Sequence, residues 1–306
     1  MDLSIIIVNW NTRDLLFGCL ESLFRTPPAR EFEVIVIDNA STDGSALLVR
    51  RKFPQVKLFL NQSNKGFASA SNQGLRKMRG KLALLLNPDT KILEISIDKM
   101  IEFMEAREDV GISGCKIINP DGSLEVSAFP DPTLVHEIIS GFRSIPFLRK
   151  YIERYRIRYL SQSNGAMKVG WVTGACLMIR KETIEEIGYL DEKIFLYGED
   201  VDWCLRARKK GWKVIYLPHI RIFHFGGASM QKDLARKIYS FYFKRFYLTQ
   251  KYRSGMSLLF VKCISLLELL AKVTITTLKR NMNEKEKQSR LQGYEKSFRL
   301  IFRKLD

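Results

Sequence analysis

Hydrophobic residues along this chain come in short β-branched runs separated by stretches with helical spacing. Leu3 to Val8 is dominated by Ile and Val and reads as a strand. Asn11 and Thr12 offer a cap, after which Leu15, Leu16, Cys19, Leu20 and Leu23 recur on one helical face. Glu33 to Ile37 is a second strand. The polar turn Ser41 to Ser45 then opens a short helix through Leu48 to Arg51. Val56 to Leu60 is a third strand, followed by a helix from about Phe67 to Met78. Leu82 to Leu86 is apolar at every position, as in a strand buried on both faces. A helix over Ile95 to Ala106 and a strand over Val110 to Ser113 continue the alternation. Strands alternating with helices predict an α/β fold whose mixed, mostly parallel sheet is covered on both sides.

The regularity then breaks. Asn119-Pro120-Asp121-Gly122 is a turn, and Ser127 to Lys168, with Pro130, Pro132, Pro146 and several Arg, is a long excursion of the kind that carries function. Val169 to Arg180 returns to strand character, and Val214 to Leu217 and Arg221 to Phe225 add two short strands. From Asp233 onward the pattern is helical. Ser257 to Thr277 is rich in Leu, Ile and Val, but Lys262, Glu268 and Lys272 argue against a membrane-spanning helix. One alternative is an amphipathic helix on an anionic membrane, flanked by Lys244, Arg245, Lys251, Arg253, Lys279 and Arg280. The other is a helix packed on the catalytic part or on a second subunit, which leaves a homodimer open. The expected division is a catalytic domain over 1–230 and a basic helical region over 231–306.

Composition sharpens this picture in two places. The 306 residues, 46% hydrophobic, suffice for one large domain with an appendage, or for two domains. The net charge is +17, and residues 231–306 hold 18 Lys and Arg against 6 Asp and Glu, so most of the excess is in the last quarter. There the basic residues interleave with aliphatic runs rather than with stacking aromatics, which disfavours nucleic acid as a partner. Cys19, Cys115, Cys176, Cys204 and Cys263 form no C-x-x-C pair, so neither a zinc site nor a disulfide framework is indicated, and a reducing compartment is expected. Met1-Asp2-Leu3 lacks a basic segment, and Ile5 to Val8 is too short for an export signal.

Two acidic sites carry the chemistry. In Phe195 to Leu205, Glu199, Asp200 and Asp202 crowd the start of a helix behind an aromatic-rich loop. A positive helix N-terminus and an i, i+4 pair with Arg206 account for Asp202. They account less well for Asp200, which suits a positioned base. Trp203, one turn on, shares its face and can form an apolar wall beside it. Asn87-Pro88-Asp89-Thr90 follows the fourth strand. Its residues suit a turn, but an Asp just past a strand end sits where open α/β sheets bind ligands. Together these point to a metal-assisted transfer enzyme. Asp38, ending the second strand, can accept from a pyrimidine N–H or a ribose hydroxyl, or cap a helix. The amides of Asn64-Lys65-Gly66-Phe67 can face a nucleotide at a helix start, or form a plain loop. His224, ahead of Gly226-Gly227, can bind a metal or a phosphate, or be structural. His136 and His219 sit in no motif.

These pieces occur in an order that resembles family 2 glycosyltransferases. They are Ser4 to Asn11, Val36 to Ser45, Asn64 to Ala68, Asn87 to Thr90, Thr173 to Cys176, Gly198 to Asp202 and His224 to Gly227. The resemblance covers roughly Leu3 to Ser229 and is nearest to the rhamnosyltransferase-like subgroup. It implies a GT-A fold and inverting transfer from a nucleotide-sugar donor, with dTDP-rhamnose the best guess. The implied acceptor is a lipid-linked sugar or polysaccharide of the cell surface, and the implied location the cytoplasmic face of the membrane. It places Asn9, Asp38, Asn64, Gly66 and Asn72 around the nucleotide, with Ala70 where the family often has Gly. Asp89 stands at the last position of the family's D-x-D motif and Asn87 at its first, so Asp89 would hold a divalent cation, Mg2+ or Mn2+, and His224 would complete its shell. Gly174 and Ala175 would lie beside the donor sugar. Asp200 would be the general base, with Glu199 shaping the acceptor side. A sugar-phosphate nucleotidyltransferase would open with a Gly-rich phosphate loop, and Val8 to Thr12 has no glycine. A non-catalytic membrane-associated binding protein would not need the full set of acids.

Overall fold

The computed structural model describes residues 1–93, 95–131, 154, 157, 160, 165–226, 233–279 and 282–303. Most of the Ser127 to Lys168 excursion, His136, Gly227 and Arg280 lie outside them. The described residues fall into two compact units: those within 1–131 and 156–229, and those within 132–155 and 230–306.

The first unit runs β1 (Leu3–Asn9), α1 (Arg13–Arg25), β2 (Phe32–Asp38), α2 (Ser45–Lys52), β3 (Lys57–Leu60), α3 (Phe67–Leu75), β4 (Leu82–Leu86), β5 (Thr90–Lys91), α4 (Ser96–Glu105) and β6 (Val110–Ile118). It continues with β7 (Leu124–Glu125), β8 (Ala128–Phe129), β9 (Met167–Lys168), β10 (Trp171–Val172), β11 (Cys176–Arg180), α5 (Lys181–Ile187), α6 (Glu199–Lys209) and β12 (Lys213–His224). The main sheet has the order β3-β2-β1-β4-β11-β6-β12-β5. Strands β1, β2, β3 and β4 are mutually parallel, as are β6 and β12, while β11 lies antiparallel between β4 and β6. Side chains alternate across the sheet. Ile5, Ile7 and Leu84 meet Leu16, Leu20 and Leu23 of α1 and Met100 and Ile101 of α4. Ile6, Val8 and Leu85 meet Ala68 and Leu75 of α3 and Trp203 and Ala207 of α6. Both faces are covered, which is why these strands are apolar throughout.

This topology positions the site. The chain winds outward from β1 to β2 and β3, then crosses back to place β4 on the other side of β1. The crevice at such a reversal, beyond the carboxyl ends of the strands, is where open sheets bind ligands. Asn9 and Asp38 end their strands at the same level, paired in the parallel register. The Asn87 to Thr90 turn leaves β4 at the same edge.

Three strands differ from the sequence reading. β6 runs on to Ile118, because β11, β12 and β7 all pair with it. Val169 to Arg180 is two strands, β10 and β11, separated by Thr173-Gly174-Ala175. The two short strands after residue 213 are one, β12, with a register shift between Leu217 and Arg221 where Pro218 cannot donate to a ladder.

The second unit contains α7 (Leu234–Tyr252), α8 (Gly255–Leu278) and α9 (Glu284–Phe302). Each starts on a side-chain cap: Asp233 accepts from the amide of Arg236, Ser254 from Ser257 and Asn283 from Lys285. Gly293 lets α9 approach α7 closely, since a Cβ there would lie 2.9 Å from Cβ of Ile238. Arg245, expected as a membrane-flanking cation, is instead buried, and its guanidinium pairs with Glu268 at 3.0 Å. A charge this deeply enclosed persists only when paired, which removes Arg245 from any surface role.

Candidate active site

At the end of β2, both oxygens of buried Asp38 are held. Asn9 Nδ2 donates to Oδ2 at 3.0 Å, and the Ser41 amide donates to Oδ1 at 2.8 Å. Asn9 is oriented in turn by the Thr12 hydroxyl, which donates to its Oδ1 at 2.6 Å. The next residue, Asn39, fastens the loop after β3. Its Nδ2 donates to Asn64 Oδ1 (2.9 Å) and to the Gly66 carbonyl (3.2 Å), and its Oδ1 accepts from Asn61 Nδ2 and the Lys65 amide, both at 3.0 Å. Gly66 has φ +84° and sits against Phe195, where an added Cβ would be 2.6 Å from the backbone carbonyl oxygen. Only glycine satisfies both demands. The Phe67 amide then donates to the Phe195 carbonyl at 2.8 Å, so the loop expected to line the nucleotide abuts the segment leading into α6.

Asn72 is placed differently from its expected role at the nucleotide. Its amide nitrogen donates to the Leu190 carbonyl and Glu192, and its oxygen accepts from the Leu190 amide. Both ends of this buried side chain tie α3 to the loop ahead of α6. Trp203 is a correction: it is fully buried among the core residues and donates its indole N–H to the Gly188 carbonyl at 2.9 Å, so it is no wall on the acceptor side. Sharing one helical face with Asp200 did not bring it to the surface, because the second core layer begins within the first turn of α6.

The two acidic sites are joined by a short path of hydrogen bonds. The Asn87 amide donates to the Ala175 carbonyl at 3.0 Å, and the adjacent Gly174 amide donates to Asp200 Oδ2 at 3.1 Å. Asp200 Oδ1 also accepts from the Val201 amide at 2.8 Å. Packing within the chain does not demand glycine at 174: an added Cβ would have its nearest neighbour at 3.7 Å, an ordinary contact. Asp202, by contrast, is buried and paired with Arg206 at 2.8 Å, as the helical spacing predicts.

Tyr197 shows how closely the acids gather. Its phenol is pushed up to about 12 by burial and then by the negative charges of Glu199, Asp89 and Asp200. One side chain therefore senses all three carboxylates. Tyr197 has φ +64°, and the other non-glycine residues with positive φ are Asn11 (+54°) and Ala40 (+65°), among the described residues. Both follow strand ends at the same edge, in the loops after β1 and β2. Backbone strain of this kind collects at functional sites.

Asp89 and His224 come together, with His224 Nε2 3.1 Å from Asp89 Oδ1. Pairing of β5 with β12 sets Thr90 opposite His224. On its other side, His224 Nδ1 is 2.8 Å from Glu125 Oε2. Burial opposes a charged imidazole, but the two carboxylates outweigh it and push its pKa up to about 10. A cation bound here would take the place of the Nε2 proton, because a ligating imidazole must be neutral. A divalent cation fits the same donors: a carboxylate oxygen and an imidazole nitrogen that face each other, with a second carboxylate holding the far ring nitrogen, as metal-bound histidines require. Among the described residues, no three His, Cys, Asp or Glu groups could hold a cation by themselves. The rest of a shell would come from phosphate oxygens and water. Glu125 and Tyr197 had no role in the sequence reading. Tyr197 lies inside a motif, and its strain is the signal it carries. Glu125 carries none, because only the β6–β7 pairing brings it to His224.

Known proteins are similar to this chain in sequence and in fold. Glycosyl transferase family 2 matches residues 4–188. The chain is 30% identical over 222 residues to an N-acetylglucosaminyl-diphospho-decaprenol L-rhamnosyltransferase of Mycobacterium tuberculosis, covering 67% of this chain and 70% of that protein. It is 25% identical over 202 residues to a dTDP-rhamnosyl transferase of Shigella flexneri, covering 65% of this chain and 62% of that one. In fold, it resembles a mannosyltransferase from Pyrobaculum calidifontis solved with GDP-Man and Mn2+, at a TM-score of 0.57 and 16% identity, over 97% of this chain and 86% of that one. A match over more than half the chain places this protein in glycosyl transferase family 2 and makes it a glycosyltransferase with the GT-A fold.

Proposed function

We propose that the protein transfers a sugar, with inversion, from a nucleotide-diphosphate donor to a lipid-linked or polysaccharide acceptor in cell-surface glycan synthesis. The rhamnosyl transfer named for two relatives makes dTDP-rhamnose the first donor to test. The observation that carries this reading is the short hydrogen-bonded path from Asn87 through Ala175 and Gly174 to Asp200.

In this reading Asp38, fixed by Asn9 and Ser41, accepts from the base or ribose of the donor. The Asn64 to Gly66 loop, with Asn87, flanks the nucleotide, and Asn72 holds that wall in place. Gly174 and Ala175 border the donor sugar. Asp200 removes the proton of the acceptor hydroxyl as its oxygen attacks the anomeric carbon, and Glu199 shapes the acceptor side. The bond from that carbon to the diphosphate breaks on the opposite face, toward Asp89 and His224. Those two residues would hold Mg2+ or Mn2+, which when bound offsets the charge growing on the departing diphosphate. The catalytic domain would span 1–230, and 231–306 would bring it to an anionic membrane surface on the cytoplasmic side. No helix among the described residues is long and apolar enough to cross a membrane.

The test is release of nucleoside diphosphate from a panel of nucleotide sugars with added Mn2+ or Mg2+. We expect Asp89→Ala to abolish release and Asp200→Asn to slow sugar transfer by about 10²–10⁴-fold. Unchanged turnover in Asp200→Asn would refute the base assignment.

A further inference from the structure

Helix α8 is amphipathic in the unusual sense. The side turned into the helical unit buries Val261 and Leu269 but also carries the helix's charged groups. Ser265 and Thr276 are buried there, Glu268 receives the Arg245 guanidinium at 3.0 Å and the Lys272 ammonium at 2.6 Å, and Lys272 also reaches the Tyr242 hydroxyl at 3.2 Å. The outward side is the apolar one. Met256, Phe260, Cys263, Leu267 and Leu270 recur every three or four residues, and Thr274 and Leu278 continue the same stripe along the helix. Leu267 is 68% exposed and Leu278 72%. Every exposed position between Gly255 and Leu278 is uncharged. Its 24 residues make a stripe about 36 Å long. A soluble helix normally turns its apolar stripe inward and its charges outward.

We propose that this stripe lies in the plane of an anionic lipid leaflet, with its side chains among the acyl chains. Resting on the membrane reading above, this names the contact surface and its orientation. Three observations favour lipid over a second copy of the chain. Charge vanishes along the stripe and returns at both ends, where Lys251, Arg253 and Lys279 are exposed at headgroup level for a helix lying flat. A second copy docked through the same stripe by two-fold symmetry would bring Lys279 of one chain to Lys251 and Arg253 of the other. Both copies would also carry the basic excess of residues 231–306. The Arg245–Glu268–Lys272 cluster holds two of the helix's three charges within the unit, and the third, Lys262, turns to the Arg303 carbonyl at 3.1 Å.

The experiment is flotation of the full-length protein with phosphatidylglycerol-containing vesicles and with neutral phosphatidylcholine vesicles, beside soluble donor hydrolysis. Wild type is expected to float with the anionic vesicles, to bind neutral ones far less, and to detach as salt rises. The double variant Leu267→Glu/Leu270→Glu should lose vesicle binding by roughly tenfold or more. Both side chains are exposed, so its circular dichroism and donor hydrolysis should match wild type. Lys251→Glu/Arg253→Glu should weaken binding to anionic vesicles only. Wild-type binding by the leucine double variant, or no wild-type binding at all, overturns the proposal. So does sedimentation as a dimer that the leucine variant dissociates, without vesicle binding. If vesicles bind but no nucleotide sugar is turned over, the catalytic reading fails and this surface stands.

Discussion

His224 carries more of the site than its lone place in the sequence suggested. It is enclosed by Asp89 on one nitrogen and Glu125 on the other, and the second contact decides what the first can do. A carboxylate on Nδ1 fixes the ring orientation and raises the basicity of Nε2 toward a cation. Glu125→Gln keeps an acceptor there but removes its charge. It should weaken Mn2+ binding, measured by calorimetry with a nucleoside diphosphate present, by about tenfold. Unchanged affinity would make Glu125 a spectator. Glu33 shows the same chemistry used for structure. It is buried at the far end of β1 and β2, where it accepts from Ser4 at 2.7 Å and Lys57 at 2.6 Å and from the Arg79 amide at 2.8 Å. Burial alone would raise its pKa, but these donors outweigh it and hold it below the ordinary 4.5. A depressed carboxylate stabilises the fold above its unfolded pKa, and that contribution is lost as pH falls through the folded value. Glu33→Gln should therefore cost roughly 1–3 kcal/mol at neutral pH. The difference from wild type, read by urea unfolding, should fade as pH falls below the ordinary carboxylate range.

Among the elements, the early strands were legible and the later ones were not, for a physical reason. β1, β2 and β4 are short apolar runs bounded by turn residues, and each pairs with strands close by in sequence or in the expected order. β11 inserts antiparallel between β4 and β6, two strands far upstream. Nothing local in Cys176 to Arg180 encodes its direction or its neighbours. The site divides the same way. Asp38, Asp89 and Asp200 announce themselves by standing at strand ends or a helix start. Glu125 belongs to a two-residue strand that exists only through pairing, and the core position of Trp203 depends on a layer assembled from strands and helices across the first unit. Two glycines in matching motifs make the distinction testable. Gly66 combines φ +84° with a contact that a Cβ would bring to 2.6 Å of the Phe195 carbonyl oxygen, whereas Gly174 has ordinary space around it. Gly66→Ala should displace the loop from Phe195, with a loss of at least about 1–2 kcal/mol and a raised KM for the donor. Gly174→Ala should leave stability within error, and a raised KM in it would come from the donor sugar it borders. Steady-state kinetics and thermal melting of the two variants decide it. Equal damage from both would mean that the motif's small residues serve the donor sugar and not local packing.

At the scale of the molecule, the crevice is drawn from segments that span nearly the whole first unit, from Asn9 on β1 to His224 at the end of β12. A ligand that bridges them binds only the folded chain, so it stabilises that unit by mass action. The protein contributes few ligands of its own to a cation, because among the described residues Asp89 and His224 face each other without a third. Mn2+ alone should therefore bind weakly. A nucleoside diphosphate alone would bring more negative charge beside Asp89, and it should bind weakly too. Together each supplies what the other lacks, and the coupling is reciprocal. Melting should then shift little with either component and clearly with both. At a concentration about 100 times the joint Kd the gain is about 2.7 kcal/mol, or several degrees for a unit of roughly 200 residues. Asp89→Ala should remove the joint shift and leave any small effect of the nucleotide alone, which rests on Asp38 and the Asn64 to Gly66 loop. Additive shifts in wild type, or a joint shift that survives Asp89→Ala, would place the cation elsewhere and leave the Asp89–His224 pair as an ordinary buried ion pair.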